Sequence, residues 1–248
     1  MDGRFRCALI VCVVFLWPAA QSRADTACVE PAQLTHAGVS LTRHFDRGEA
    51  AEDGPGGIQG SGWFLNPTTI VTVAHVATAM HLSTQDWKEL EVRDGDVILS
   101  VPARILRLVG LGTERLAVIE LQTAVPSARS LALRLAPLAP EERVMTPAYA
   151  AGRLRVTFGR FVRYGDRDGL VGRAMLEMYD GNDRLAVDHG ASGAPVLDCD
   201  GRVTAVVANV ITQTLTLGRG DIRVSTAWGV PNVVSVPVQA LQESSEAK

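Results

Sequence analysis

Two glycines bracketing a serine constrain this chain more than any other feature of it. They lie in Gly190-Ala191-Ser192-Gly193-Ala194-Pro195, within Asp188–Gly201 (DHGASGAPVLDCDG). Glycine reaches backbone conformations closed to other residues and lets amide N–H groups come close to a ligand. Pro195 then opposes continuation into a helix. Val196-Leu197, a turn at Asp198–Gly201 and the β-rich run Val203–Ile211 follow. The segment therefore reads as one hydroxyl on a tight turn that feeds a β-hairpin. A serine on a strand-to-helix elbow would need G-x-S-x-G and a helix after it. Here the fifth position is Ala194 and a strand follows. Alone, such a turn is ordinary turn chemistry; it acquires meaning only with a partner histidine.

That partner stands earlier in the chain. Gly60-Ser61-Gly62 leads into Trp63-Phe64-Leu65, a turn at Asn66-Pro67, and the β-branched run Thr68–Val73. This predicts a hairpin with a proline in its connection. It ends at Ala74-His75-Val76, with Ala77–Met80 allowing one helical turn. A serine hydroxyl must hand over its proton as it attacks, and a histidine can take that proton and return it to a leaving amine.

The serine turn is similar to the nucleophile turn of the trypsin-like (chymotrypsin-fold) serine proteases, G-x-S-G-G-P. The order G-S-G, strand, turn, strand, A-H resembles the histidine motif of trypsin-like and HtrA-type proteases. The resemblance spans about residues 57–122 and 145–238. It implies an all-β protein of two antiparallel six-stranded barrels with the active site in the cleft between them. Short strands separated by Gly/Pro turns independently point to the all-β class. The resemblance further implies a serine endopeptidase working through an acyl-enzyme on Ser192, with His75 as general base and no cofactor. The amides of Gly190 and Ser192 would form the oxyanion hole, where preorganised donors face the charge that develops on the carbonyl oxygen. A Ser–Lys dyad is the rival chemistry, but past the leader the lysines are Lys88 and Lys248, both in polar surroundings.

The third member of the triad is where the sequence departs. Ala103–Gln122 (ARILRLVGLGTERLAVIELQ) reads as a strand, a glycine-bearing break and a second strand. Trypsin-like proteases carry their acid just before the apolar tail of such a segment, as in D-[IL]-A-[LV]. Leu116-Ala117-Val118 matches the tail, but Arg115 precedes it and Glu114 lies one position earlier. Two readings stay open. Either Glu114 serves as the acid through a bulge or a one-residue shift, or it is a solvated turn charge and no acid orients His75. Period-2 alternation puts Glu114 and Arg115 on opposite faces, which works against simple replacement. Asp94 and Asp96, in the turn RDGDV, are weaker candidates. The alternative function is therefore a catalytically impaired pseudoprotease that binds peptides or proteins in the same cleft.

By the same resemblance, Ala186 forms the floor of the specificity pocket and leaves no charge there for Arg or Lys. Val207, Ala208 and Asn209 belong to the strand on which a substrate backbone pairs, recognition by β-addition. Ala191 replaces the acidic or amide residue usual before the nucleophile, which argues against zymogen activation by a freed N-terminus. Ala194 replaces the second glycine and adds one methyl. Arg153–Tyr164, Val171–Met178 and Leu185–Val187 read as strands, and Trp228–Ala240 as a closing strand with a short helix. The length leaves no room for a PDZ domain, so a full HtrA-type protein is not expected.

Arg4 and Arg6, the 11-residue apolar run Cys7–Trp17 and the small-residue exit Ser22-Arg23-Ala24 mark a signal peptide. The run is short of the ~20 residues that span a bilayer. Cleavage is expected after Ala24, or after Ala20, giving a secreted or periplasmic protein with no membrane contact thereafter. Loss of Arg4, Arg6, Arg23 and Asp2 leaves 224 residues with 21 basic and 26 acidic, a net charge of about −5. That lacks the clustered basic footprint of a nucleic-acid partner; the expected partner is a peptide or protein substrate, and the expected state a monomer. Cys28 and Cys199 remain, more in keeping with a disulfide than a metal site in an oxidising compartment. No metal is expected, because C-x-x-C and histidine pairs at ligand spacing are absent from the sequence. The domain expectation is a leader at 1–24, an N-terminal part and first barrel at 25–125, a second barrel at 126–240 and a polar tail at 241–248.

Overall fold

The computed structural model describes residues 28–46, 48–49, 56–110, 115–150, 152–167, 170–179, 190–210, 213–217, 220–224 and 231–243. The first barrel is built from β1 (Val39–His44), β2 (Gly57–Asn66), β3 (Thr69–Val73), β4 (Lys88–Asp94), β5 (Val97–Val109) and β6 (Leu116–Leu121). Its order is β1-β2-β3-β6-β5-β4, closed by antiparallel pairing of β4 with β1. The second barrel uses β7 (Arg143–Ala150), β8 (Arg153–Arg167), β9 (Leu170–Tyr179), β10 (Pro195–Leu197), β11 (Val203–Val210) and β14 (Val233–Pro237). Its order is β10-β11-β14-β9-β8-β7, closed where Leu197 of β10 pairs with Met145 of β7. A separate hairpin, β12 (Gln213–Leu217) and β13 (Gly220–Val224), extends from the second barrel's chain. Among the described residues the helical elements are a 3-10 turn at Pro31–Leu34, α1 (Ala74–Ala79) and α2 (Ala240–Glu243). The expected all-β, two-barrel architecture is thus present. No helix among the described residues is long and apolar enough to cross a membrane.

Closure dictates which residues are buried. A closed sheet has no free edge, and its inward side chains fill the lumen. In β4 this gives buried Leu90, Val92 and Asp94 alternating with more exposed charged neighbours. Trp63 and Phe64 of β2, with Ile70, Val71 and Val73 of β3, are fully enclosed. The same apolar cluster runs on into Met145, Leu197, Val206 and Val236 of the second barrel, so the barrels share a packed seam. Leu138, Phe161, Leu176, Met178, Val196 and Val207 fill the second lumen.

The chain before β1 is tied to the far barrel. Cys28 and Cys199 form a disulfide with a sequence separation of 171, and the Val29 N–H donates to the Cys199 carbonyl at 3.1 Å. Cys199 sits in the turn between β10 and β11. Buried Asp198 organises that turn by accepting from the backbone N–H groups of Asp200 (3.0 Å) and Arg202 (2.9 Å).

Candidate active site

β3 pairs with β2 on one side and β6 on the other, so all five of its residues are buried. At Ala74 the chain turns into α1, whose Ala-rich composition suits a helix. His75 is exposed in the first turn, while Val76 and Ala77 face the core. Val73 lies opposite Leu116, and the Ala74 N–H donates to the Arg115 carbonyl at 2.7 Å. Residue 115 therefore adjoins the start of the helix that carries His75.

Half-buried Ser192 sits on a turn held from both sides. Gly190 and Gly193 adopt φ of 97° and 93°, in the region where a side chain is strained. From the first barrel, the Ser61 N–H donates to the Ser192 carbonyl at 2.9 Å. The Ser61 hydroxyl donates to the Gly190 carbonyl at 2.7 Å, and the Thr72 hydroxyl donates to the Ser61 carbonyl at 2.7 Å. From the second barrel, the Gly193 N–H donates to the Val207 carbonyl at 2.8 Å and the Val207 N–H to the Ala194 carbonyl at 2.9 Å. A Cβ on Gly193 would stand 2.0 Å from the Ser61 carbonyl oxygen and 2.1 Å from Thr72 Oγ1. Only glycine permits this seating, and the seat is β2 and β3, the strands that lead to His75.

The fold brings the segments of His75, Gly190 and Ser192 to one seam between the barrels. Glu114 and Ala186 lie outside the described residues, as do the expected strand Leu185–Val187 and the leader. Of the expected substrate segment, Val207 is spent on the turn through both backbone groups and is fully buried. Ala208 falls in a bulge of β11 against β14, and its carbonyl accepts from the Ser192 hydroxyl at 3.4 Å. Asn209 is exposed. Arg115, which by the resemblance stands where the family carries its acid, is exposed too. Asp94 is 1% exposed and bonded to a different histidine, His36 Nδ1, at 2.8 Å. Asp96 is exposed beside it.

The turn that follows the site is braced by ion pairs. Arg134 bonds Glu142 and reaches Asp198 at 3.4 Å, while Arg202 bonds Asp198 at 2.8 Å. Burial alone would raise the Glu142 carboxyl, but hydrogen bonds from Arg134 and the Ala139 N–H hold it below the usual range. The Glu142 hydrogen bond raises Arg134 in turn. Sequence reasoning missed two buried groups here, the Ser61 hydroxyl and Tyr149, whose N–H donates to Ser61 Oγ at 3.0 Å. The one signal for Ser61 was its place between two glycines at the head of an apolar strand.

Two closed six-stranded antiparallel barrels, with a glycine-cornered serine turn seated on the strands that lead to a histidine, define the chymotrypsin-like fold class. Residues 60–206 match the trypsin-like peptidase domain, and the chain belongs to that family. No curated protein matches the chain. Among solved structures it is similar to the Rv3671c protease from M. tuberculosis in its active form, at 18% identity and a TM-score of 0.55, covering 88% of this chain and 86% of that one. It is also similar to the HtrA-type protease AlgW with tripeptide, at 17% identity and a TM-score of 0.56, over 86% of this chain and 60% of that one. Deg5 matches at 16% identity and a TM-score of 0.54, over 85% of this chain and 88% of the other.

Proposed function

We propose that this protein is an exported serine endopeptidase that cleaves peptide bonds through an acyl-enzyme on Ser192. His75 takes the hydroxyl proton during attack and returns it to the leaving amine. The amides of Gly190 and Ser192 receive the oxyanion, and Ala208 with Asn209 pairs the substrate backbone. The observation that carries this reading is the seating of the Ser192 turn on Ser61 and Thr72, since Thr72 lies three residues before His75 in the same strand-to-helix unit. The disulfide and the signal-like N-terminus support export. Purified protein lacking residues 1–24 should hydrolyse a library of internally quenched peptides, and Ser192→Ala and His75→Ala should each abolish that turnover.

A second reading rests on one observation, the cation at position 115 beside the His75 helix. Without an acid the same cleft would hold peptides and turn them over slowly or not at all. Measurable peptide binding by a protein whose turnover is unaffected by Ser192→Ala would establish it over the first.

A further inference from the structure

We infer that Ser61 is a positioning residue for the reaction: its hydroxyl fixes the backbone of Gly190 and thereby preorganises the oxyanion-binding amides. This rests on reading Ser192 as the nucleophile. Ser61 is fully buried, 0% exposed, in the middle of β2. Its hydroxyl donates to the Gly190 carbonyl at 2.7 Å and accepts from the Tyr149 N–H at 3.0 Å. Its N–H donates to the Ser192 carbonyl at 2.9 Å. One residue of the first barrel thus grips the nucleophile turn at two carbonyls, two residues apart, and ties both to β7 of the second barrel.

The hydroxyl matters because of what it holds. Gly190, at φ 97°, has no Cβ to restrict its torsions. Among the described residues, the backbone hydrogen bonds of the turn hold Ala191, Ser192, Gly193 and Ala194, downstream of it. The Ser61 hydroxyl thus sets the plane of the peptide joining Gly190 to Ala191. The Gly190 N–H belongs to the preceding peptide and is separated from that plane only by Gly190's own φ and ψ; with the carbonyl released, those unrestricted torsions would let the Gly190 amide drift from an oxygen that must meet it together with the Ser192 amide. Donors held in place before charge develops cost no reorganisation during the reaction. Losing one such donor outright costs about 10²–10³ in kcat. Loosening it should cost less, so Ser61→Ala should lower kcat about ten- to a hundredfold.

The test has a kinetic arm and a spectroscopic arm. In Ser61→Ala, kcat should fall by that factor with KM within about twofold and the shape of the pH–rate profile unchanged, because the oxyanion contact acts chiefly in the transition state. Thr157→Val, which deletes a buried hydroxyl that donates to the Thr146 carbonyl elsewhere in the second barrel, should leave kcat unchanged and controls for stability. Labelling with 13C-carbonyl glycine and 15N-alanine reports only the pairs Gly190-Ala191 and Gly193-Ala194. The Gly190 carbonyl should shift or exchange-broaden in Ser61→Ala, and Gly193 should move less. Ser61→Cys, which keeps a weaker donor, should fall between wild type and Ser61→Ala, and carries both arms if the alanine variant fails to fold. An unaltered Gly190 carbonyl, or a kcat equal to wild type, would overturn the inference. Wild-type protein without Ser192-dependent turnover would instead sink the nucleophile reading, and the hold on Gly190 would then be judged on the carbonyl resonance alone.

Discussion

Replacing Arg115 by Asp should raise peptidase activity, and the structure says by roughly how much. Residue 115 is joined to the His75 helix by the 2.7 Å bond from the Ala74 N–H, and the β3–β6 register fixes it there. In a serine-protease triad the acid orients the imidazole and stabilises the imidazolium; exchanging it for its amide costs about 10⁴ in kcat, roughly 5 kcal/mol of barrier. Because residue 115 is exposed, an introduced carboxylate works partly in water. At 4 Å the interaction of two unit charges runs from about 1 kcal/mol in bulk water to about 4 kcal/mol near a protein surface. At about 1.4 kcal/mol per decade that range corresponds to a gain of about fivefold to about 700-fold, short of 10⁴. The assay is kcat/KM on one fluorogenic peptide at low and high salt, with Glu114→Gln alongside. The gain should shrink at high salt, since exposed charges are screened. Glu114→Gln should change little. Collapse in Glu114→Gln with no gain in Arg115→Asp would make Glu114 the working acid and refute the reasoning. Indifference to both changes, with turnover intact, would mean the acid comes from elsewhere.

Other outcomes follow from single residues or contacts. The uncharged Ala186 predicts cleavage after small or apolar residues with a broad profile, since one methylene discriminates only about 10–200-fold; a library profile dominated by Arg or Lys would contradict it. The Cys28–Cys199 bond should appear as a linked peptide after non-reducing digestion, and Cys199→Ser should cost about 2–5 kcal/mol of stability in a denaturant titration; a variant as stable as wild type would show that the bridge constrains nothing. The Lys88 hydrogen bond leads the effects that hold Glu49 down at about 2, and Glu142 is lowered as well. Both contribute stability in full above the ordinary carboxylate value of 4.5; Glu49 loses its share as pH falls toward 2, and Glu142 loses its share as pH falls below 4.5. The melting temperature should therefore hold from pH 7 to 5 and drop below, by less in Lys88→Met; a flat profile down to pH 2 would refute this.

Much of the scaffold was legible because its strands alternate or carry β-branched runs between turn residues. The hairpin into β3, the pair β5 and β6, and the strands β8, β9 and β11 all have such patterns. β4 was not, because Lys88–Asp94 buries only Leu90, Val92 and Asp94 and otherwise reads as a charged loop. β7 was hidden differently: Pro147 stands in its middle, and proline argues against a strand interior. Asp94 shows the limit for sites. Its place in an RDGDV turn made it a spare acid, and only the folded pairing of β4 with β1 reveals that it serves His36. Ser61 shows the converse, since a serine between glycines looks like turn material until the second barrel closes on it.

Ser192, activated by His75, is the proposed nucleophile. A fluorophosphonate reacts covalently with an activated serine and needs no substrate to be known. Purified protein lacking its first 24 residues should take up one equivalent of label, mapped by mass spectrometry to the peptide containing Ser192. Labelling should vanish in Ser192→Ala and fall steeply in His75→Ala. Label that persists in both variants, or an intact protein that takes up none, would contradict the account.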